Sequence, residues 1–116
     1  MKRLLFVSLA FVLAFSIAVH AQDAQVRTVH GQVVDKQGDP LKGGVIYLQN
    51  LATQVVRTYI SDDAGEYRFS GLDPNVDYEL HAETADQISA TRKLSRYDDR
   101  KDIVLILRVD KNKSGK

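Results

Sequence analysis

Gly65-Glu66-Tyr67-Arg68-Phe69-Ser70-Gly71-Leu72-Asp73-Pro74-Asn75-Val76-Asp77-Tyr78-Glu79-Leu80-His81-Ala82 reads as a strand, a tight turn and a second strand. Tyr67 and Phe69 alternate with polar neighbours before the turn, and Tyr78, Leu80 and Ala82 do so after it. A period of two sends one face of each strand into a core and the other to solvent. Between them, Gly71-Leu72-Asp73-Pro74-Asn75 carries turn chemistry: Gly accepts positive φ and Pro cannot donate to a ladder.

The same pattern extends outward in both directions. Arg27 to Asp35 is expected as a strand, with Val29, Gly31 and Val33 alternating with His30 and Gln32. Lys36-Gln37-Gly38-Asp39-Pro40 turns the chain into Gly44 to Asn50, where Ile46 and Leu48 face one way and Val45 and Tyr47 the other. Val55 to Ser61 follows, with Val56, Thr58 and Ile60 sharing a face, and Asp62-Asp63-Ala64-Gly65 leads back to the opening motif. Beyond Ala82, Ile88, Ala90 and Arg92 line a further strand, and Lys93 to Asp102 is a charged connection. Asp102 to Val109 is so uniformly apolar that a central strand covered on both faces is expected. Seven short strands at roughly ten-residue spacing, with no helical periodicity, predict an all-β domain, a seven-stranded Greek-key β-sandwich. Its expected core is Val29, Val33, Ile46, Leu48, Ile60, Tyr67, Phe69, Leu72, Tyr78, Leu80, Leu105 and Leu107. The hydroxyls of Tyr67 and Tyr78 need partners.

The N-terminus reads as an address rather than as structure. Lys2 and Arg3 precede an apolar run from Leu4 to Val19, and Val19-His20-Ala21 places small or modest residues at the positions a signal peptidase reads. The run is shorter than the roughly 20 residues of a membrane span. Residues 1–21 are therefore expected to be a signal peptide, 22–26 a flexible lead-in, 27–110 the domain and 111–116 a disordered basic tail. No transmembrane span is expected after cleavage, and the chain is expected in the periplasm or outside the cell. Without Lys2 and Arg3 the chain holds 14 basic and 15 acidic residues, a formal charge of −1 that argues against a nucleic-acid partner. Cysteine is absent, so an exported domain of about 95 residues must rely on its core rather than on disulfides.

With the strands laid out, the chain resembles the carboxypeptidase regulatory-like domains, a family of transthyretin-like β-sandwiches. The likeness is carried in order by Val29-His30-Gly31-Gln32-Val33-Val34-Asp35, Gly38-Asp39-Pro40-Leu41-Lys42-Gly43-Gly44-Val45-Ile46-Tyr47-Leu48, Ser61-Asp62-Asp63-Ala64-Gly65-Glu66-Tyr67-Arg68-Phe69, and Leu72 through Ala82. Asp77 stands where the family often has glycine, and Ala85-Asp86-Gln87-Ile88 replaces a usual Gly-Tyr pair. The resemblance implies a non-catalytic module with no catalytic residue to carry over.

The candidate sites are few. Asp62, Asp63 and Glu66 cluster around a glycine and could supply carboxylate oxygens to calcium, although tight turns select Asp and Gly for backbone reasons alone. His30 and His81 alternate with core positions and should point outward; without a further ligand they make no zinc site. No serine lies in a nucleophile elbow and there is no cysteine nucleophile, so no catalytic residue and no cofactor are assigned. Transthyretin-like folds include a small hydrolase family ending in Tyr-Arg-Gly-Ser, which the ending Asn112-Lys113-Ser114-Gly115-Lys116 lacks. A Lys42–Asn112 crosslink is rejected because both look exposed, and Asn112-Lys113-Ser114 is a glycosylation sequon in the tail.

The outward residues carry the functional expectation. Val45, Tyr47, Val55 and Tyr59 fall opposite the assigned core, with Val104 and Ile106, edged by Arg57 and Arg68. Contiguous exposed apolar surface marks interaction sites. Tyr47, Tyr59, Val104 and Ile106 are thus the expected partner-binding residues, against an envelope or extracellular protein. The alternative is a carbohydrate, stacked on Tyr47, Tyr59 and Tyr97, though such platforms favour tryptophan and this chain has none.

Overall fold

The computed structural model describes residues 26–113; the expected signal peptide lies outside them, as do 22–25 and 114–116. Among the described residues nine strands form: β1 (Arg27–Val34), β2 (Val45–Asn50), β3 (Val56–Ile60), β4 (Glu66–Leu72), β5 (Tyr78–Glu83), β6 (Gln87–Ser89), β7 (Arg92–Leu94), β8 (Asp102–Val104) and β9 (Leu107–Asn112). The fold is all-β. The order along the sheet is β3-β2-β5-β6-β9-β1-β4, with β7 also on β5 and β8 also on β1. One layer holds β4, β1 and β8, and the other β3, β2, β5 and β7. The β6–β9 pair joins them, because β9 also runs parallel to β1 through Val33–Leu107 and Val34–Arg108.

Two expected strands each split in two, which accounts for nine rather than seven. The segment around Ile88–Arg92 breaks between Ser89 and Arg92, where the Ser89 hydroxyl accepts from Ala82 N and donates to Ala90 O. The 102–109 segment breaks at Leu105-Ile106, and there the cause is Gly31. A Cβ on Gly31 would sit 2.0 Å from Leu105 O, so only glycine lets the Leu105 backbone tuck against β1. Leu105 N donates to His30 O at 2.9 Å, and its carbonyl accepts from the Tyr67 hydroxyl at 2.8 Å. Burial pushes the Tyr67 phenol pKa far up, which keeps it a neutral donor. The expectation that this segment is covered on both faces is corrected: Val104 and Ile106 are exposed while Ile103 and Leu107 are buried.

Ten of the twelve expected core residues are buried, from Val29 and Val33 through Leu107. Leu105 is half-buried against that cluster, and Ile60 is 66% exposed. Ile60 fails because the register sets Tyr59 opposite the buried Ile46, so the other parity of β3 faces inward. Val34, Ala82, Leu94, Ile103 and Val109 complete the apolar interior. The Tyr78 hydroxyl accepts from Asp73 N at 2.9 Å, closing the Gly71–Asn75 turn. The expected tail is also corrected at its start: Lys111 and Asn112 pair with Ile88 and Gln87, so β9 runs on to Asn112.

Two loops share one geometry. In Asp35-Lys36-Gln37-Gly38-Asp39, Asp35 Oδ1 accepts from the N–H groups of Gln37 and Asp39, both at 2.9 Å. In Asp62-Asp63-Ala64-Gly65-Glu66, Asp62 Oδ1 accepts from Ala64 N at 3.0 Å and Glu66 N at 2.8 Å. Each glycine takes positive φ, 91° and 75°, and donates back to the carbonyl of its aspartate. The loops meet at one end of the domain, where Val33 N donates to Gly65 O and Leu41 N donates to Val33 O.

Candidate functional site

At the side of the sandwich, β3 and β4 come together as the two ends of the sheet. Arg57 Nη1 donates to Ser70 O at 3.3 Å with its guanidinium 5.4 Å from the centre of the Phe69 ring. The Tyr59 ring meets Phe69 edge-on at 5.9 Å. Beside this contact lies an open groove of about 540 Å³ lined among others by Tyr59, Val104 and Ile106, with His30, Glu66 and Arg68 along it. Tyr59, Val104 and Ile106 are 39%, 55% and 45% exposed, so its apolar lining is available to solvent. On the outer face of β1, His30 Nε2 lies 3.0 Å from Asp102 Oδ1.

Tyr47 is not part of this groove. It pairs with Thr58 on one side and His81 on the other, on the outer face of the β3-β2-β5 layer. Its ring stacks on His81 at 5.0 Å and 13°. It lines a separate depression of about 280 Å³ with Val56, Glu79 and Thr91. The single face expected to hold Tyr47, Tyr59, Val104 and Ile106 is therefore corrected to two faces. Val-Arg-Thr-Tyr-Ile carries apolar residues at both parities, so its sequence does not say which side is inner.

The histidines point outward as expected, and each has a carboxylate. His81 Nε2 lies 2.8 Å from Glu83 Oε2, and Lys113 Nζ lies 3.1 Å from Glu83 Oε1. Hydrogen bonds from His81 and then Lys113 hold the Glu83 carboxyl below its usual range. The calcium candidates do not converge. Asp62 Oδ1 accepts from two backbone amides, and Asp63 pairs with Lys42 at 3.1 Å. Among the described residues no group of three or more His, Cys, Asp or Glu is placed to hold a metal. Lys42 is thus paired, and Asn112 sits in the β6–β9 ladder.

Arg27 escaped the sequence reading although it shares the inward parity of Val29 and Val33. It is 2% exposed, and its guanidinium donates to Ser95 O, Asp98 O, Asp73 O and Val76 O at 2.8–3.4 Å. It ties the 73–76 turn to the 95–98 turn. Asp77, at the position where glycine was expected, accepts from Arg96 N at 2.6 Å and supports the same corner.

The carboxypeptidase regulatory-like domain family matches residues 28–105, most of the described chain. The chain belongs to that family. No curated protein matches it. Among solved structures, this regulatory-like domain is similar to catechol 1,2-dioxygenase from Acinetobacter sp., with TM-score 0.58 and 12% identity over 82% of this chain and 55% of that one. It is similar to a streptococcal ancillary pilin, with TM-score 0.58 and 18% identity over 78% and 34% of the two chains. The major pilin subunit BcpA of Bacillus cereus gives TM-score 0.57 and 15% identity over 74% and 30%. The chain thus spans about half of the dioxygenase and about a third of each pilin. At these identities the likeness is one of fold.

Proposed function

We propose that this regulatory-like domain is an exported, non-catalytic module that binds a polypeptide partner in the groove of Tyr59, Val104 and Ile106. The observation that carries the reading is the grouping of three exposed apolar side chains from β3, β8 and the β8–β9 bulge in one groove. Arg68, Glu66 and the His30–Asp102 pair give it a polar rim of both signs, the anatomy of a protein interface. Family membership and the shared fold of pilin subunits agree with an interaction role, and the charged start and apolar run over 1–19 agree with export. A sugar platform is disfavoured by geometry. His81 covers the Tyr47 ring, Tyr59 leans on Phe69, and Arg96 lies over Tyr97 at 5.1 Å.

The test places a photo-crosslinking amino acid at Ile106 in living cells. It should capture one envelope or extracellular protein, and Val104→Asp should abolish capture while leaving the melting temperature nearly unchanged. Tyr47→Ala should leave capture intact. Capture lost with Tyr47→Ala but kept with Val104→Asp would move the interface to the outer face and reject the groove. Mass spectrometry of the exported chain should show Gln22 as its first residue; a cell-internal chain still beginning at Met1 would reject export.

A further inference from the structure

We propose that two copies of this chain join edge to edge through β3, antiparallel, about a two-fold axis at Thr58. This goes beyond the groove and stands whether or not the groove takes a partner. Among the described residues β3 pairs with β2 alone and ends the sheet. Ser61 N donates to Gly44 O, and Val55 O accepts from Asn50 N, so the odd-numbered residues turn their backbone groups toward β2. Ladder alternation then points the N–H and C=O of Val56, Thr58 and Ile60 away from it. All five residues of β3 are exposed, and its pairing with β2 is unbroken from Val56 to Ile60. Protected edges usually carry lysine, proline or a bulge, and β3 has none. Its one charge, Arg57, is already engaged by Ser70 O and the Phe69 ring.

A second copy is the occupant that the residue order fits. A two-fold pair centres on Val56, Thr58 or Ile60 as a hydrogen-bonded pair, or on Arg57 or Tyr59 as a non-hydrogen-bonded one; of these only Thr58 brings all three free-edge residues into register, and Arg57 would set two like charges face to face. Centring on Thr58 uses all three, giving about six interchain hydrogen bonds. Val56 then lies opposite the partner's Ile60 and Thr58 opposite the partner's Thr58, cross-strand pairs of β-branched residues that pleated surfaces favour. Arg57 lies opposite the partner's Tyr59, cation beside ring, and never opposite the partner's Arg57. The contact is isologous and closes at two copies. A five-residue edge is a small interface, so dissociation in the range of roughly 1–100 μM is expected.

Sedimentation velocity on the purified chain, from well below to well above that range, should show a reversible monomer–dimer equilibrium. Thr58→Pro removes a donor that β2 does not use, so the monomer should keep its sheet spectrum while dimer dissociation weakens at least tenfold. The chain has no cysteine, so single cysteines read the register. A hydrogen-bonded antiparallel pair sets Cα atoms about 5.5 Å apart, within disulfide reach. Thr58→Cys should oxidise to a covalent dimer much faster than Arg57→Cys. A mixture of Val56→Cys and Ile60→Cys should give the mixed dimer in preference to either homodimer. A monomer throughout the range overturns the proposal, as does equal crosslinking at Arg57→Cys. A dimer that survives Thr58→Pro but dissociates with Val104→Asp overturns it in favour of the groove. Should Thr58→Pro fail to fold, the cysteine register alone decides.

Discussion

Replacing Gly31 with alanine tests the joint that shapes the groove. The new methyl carbon would lie 2.0 Å from Leu105 O and 2.8 Å from Leu105 C. Restoring an ordinary carbon–oxygen contact requires the bulge to retreat by about 1 Å, in an interior packed as tightly as a crystal. Leu105 is held there by its N–H on His30 O and by the Tyr67 hydroxyl on its carbonyl, so the retreat strains or breaks both bonds. Overpacking costs about 1–3 kcal/mol and each of the two lost bonds about 0.5–1.5 kcal/mol, a total of roughly 2–6 kcal/mol. At about 4–8 °C per kcal/mol for a domain of this size, melting should fall by roughly 8–48 °C. The control is Gly38→Ala, at φ 91° with nothing within 4 Å of the added carbon. It carries only the left-handed backbone penalty of about 1–2 kcal/mol. Circular dichroism melts measure both, and amide shifts at Val104 and Ile106 report whether the groove moves with the bulge. A Gly31→Ala melt within about 2 °C of the parent, or a smaller loss than Gly38→Ala, refutes the steric account.

Arg27→Met should destabilise by about 2–4 kcal/mol, since four carbonyls lose a shared charged donor while the cost of burying the cation is relieved. Arg27→Lys should not restore stability, because one ammonium cannot span both turns; denaturant titration checks both variants. Glu83 and Asp98 have carboxyls held below their usual range, Asp98 to about 2 from 3.8 by its pairing with Arg100. Their stabilisation is full above the ordinary carboxylate range and is lost as pH falls through the lowered values, so Glu83→Gln should flatten the acid limb of a stability–pH curve. An unchanged limb in that variant would count against the His81–Glu83–Lys113 cluster. Calcium or a chelator should leave the melting temperature unchanged, since Asp62 Oδ1 is already taken by Ala64 N and Glu66 N and the neighbouring carboxylates do not converge on a metal. A calcium-dependent rise of several degrees would promote Asp62, Asp63 and Glu66 to ligands.

Where alternation was unambiguous, the residues alone located the strands and the interior. Tyr67 and Phe69 against Glu66, Arg68 and Ser70 leave no choice of face, and the Asp-x-x-Gly loops announce their turns. Reading failed where the pattern was degenerate or its cause lay elsewhere in the chain. Tyr59 and Ile60 compete for the inner face of β3, and only the pairing of Tyr59 with Ile46 decides between them. The break at Leu105 is dictated by the missing side chain of Gly31, far away in sequence. The strand at Lys111-Asn112 is polar because it is exposed, and pairing with β6 rather than burial creates it. Of the four residues expected to bind a partner, the three that meet in the groove come from β3, β8 and the β8–β9 break, whose proximity no local pattern encodes.

The parallel pairing of β1 with the end of the domain has a consequence for how the chain reaches this state. Val29 lies beside Ile103 and Val33 beside Leu107, so β1 waits for β8 and β9 to be made. At about 5–20 residues per second, the intervening stretch takes roughly 4–15 s to appear. Until then β1 has only β4 to pair with, and its other edge stays bare. Such long-range closure makes folding a late, slow and all-or-none event. A chain truncated before Asp102 should remain sensitive to protease, and protection should appear only in chains that extend through Val109.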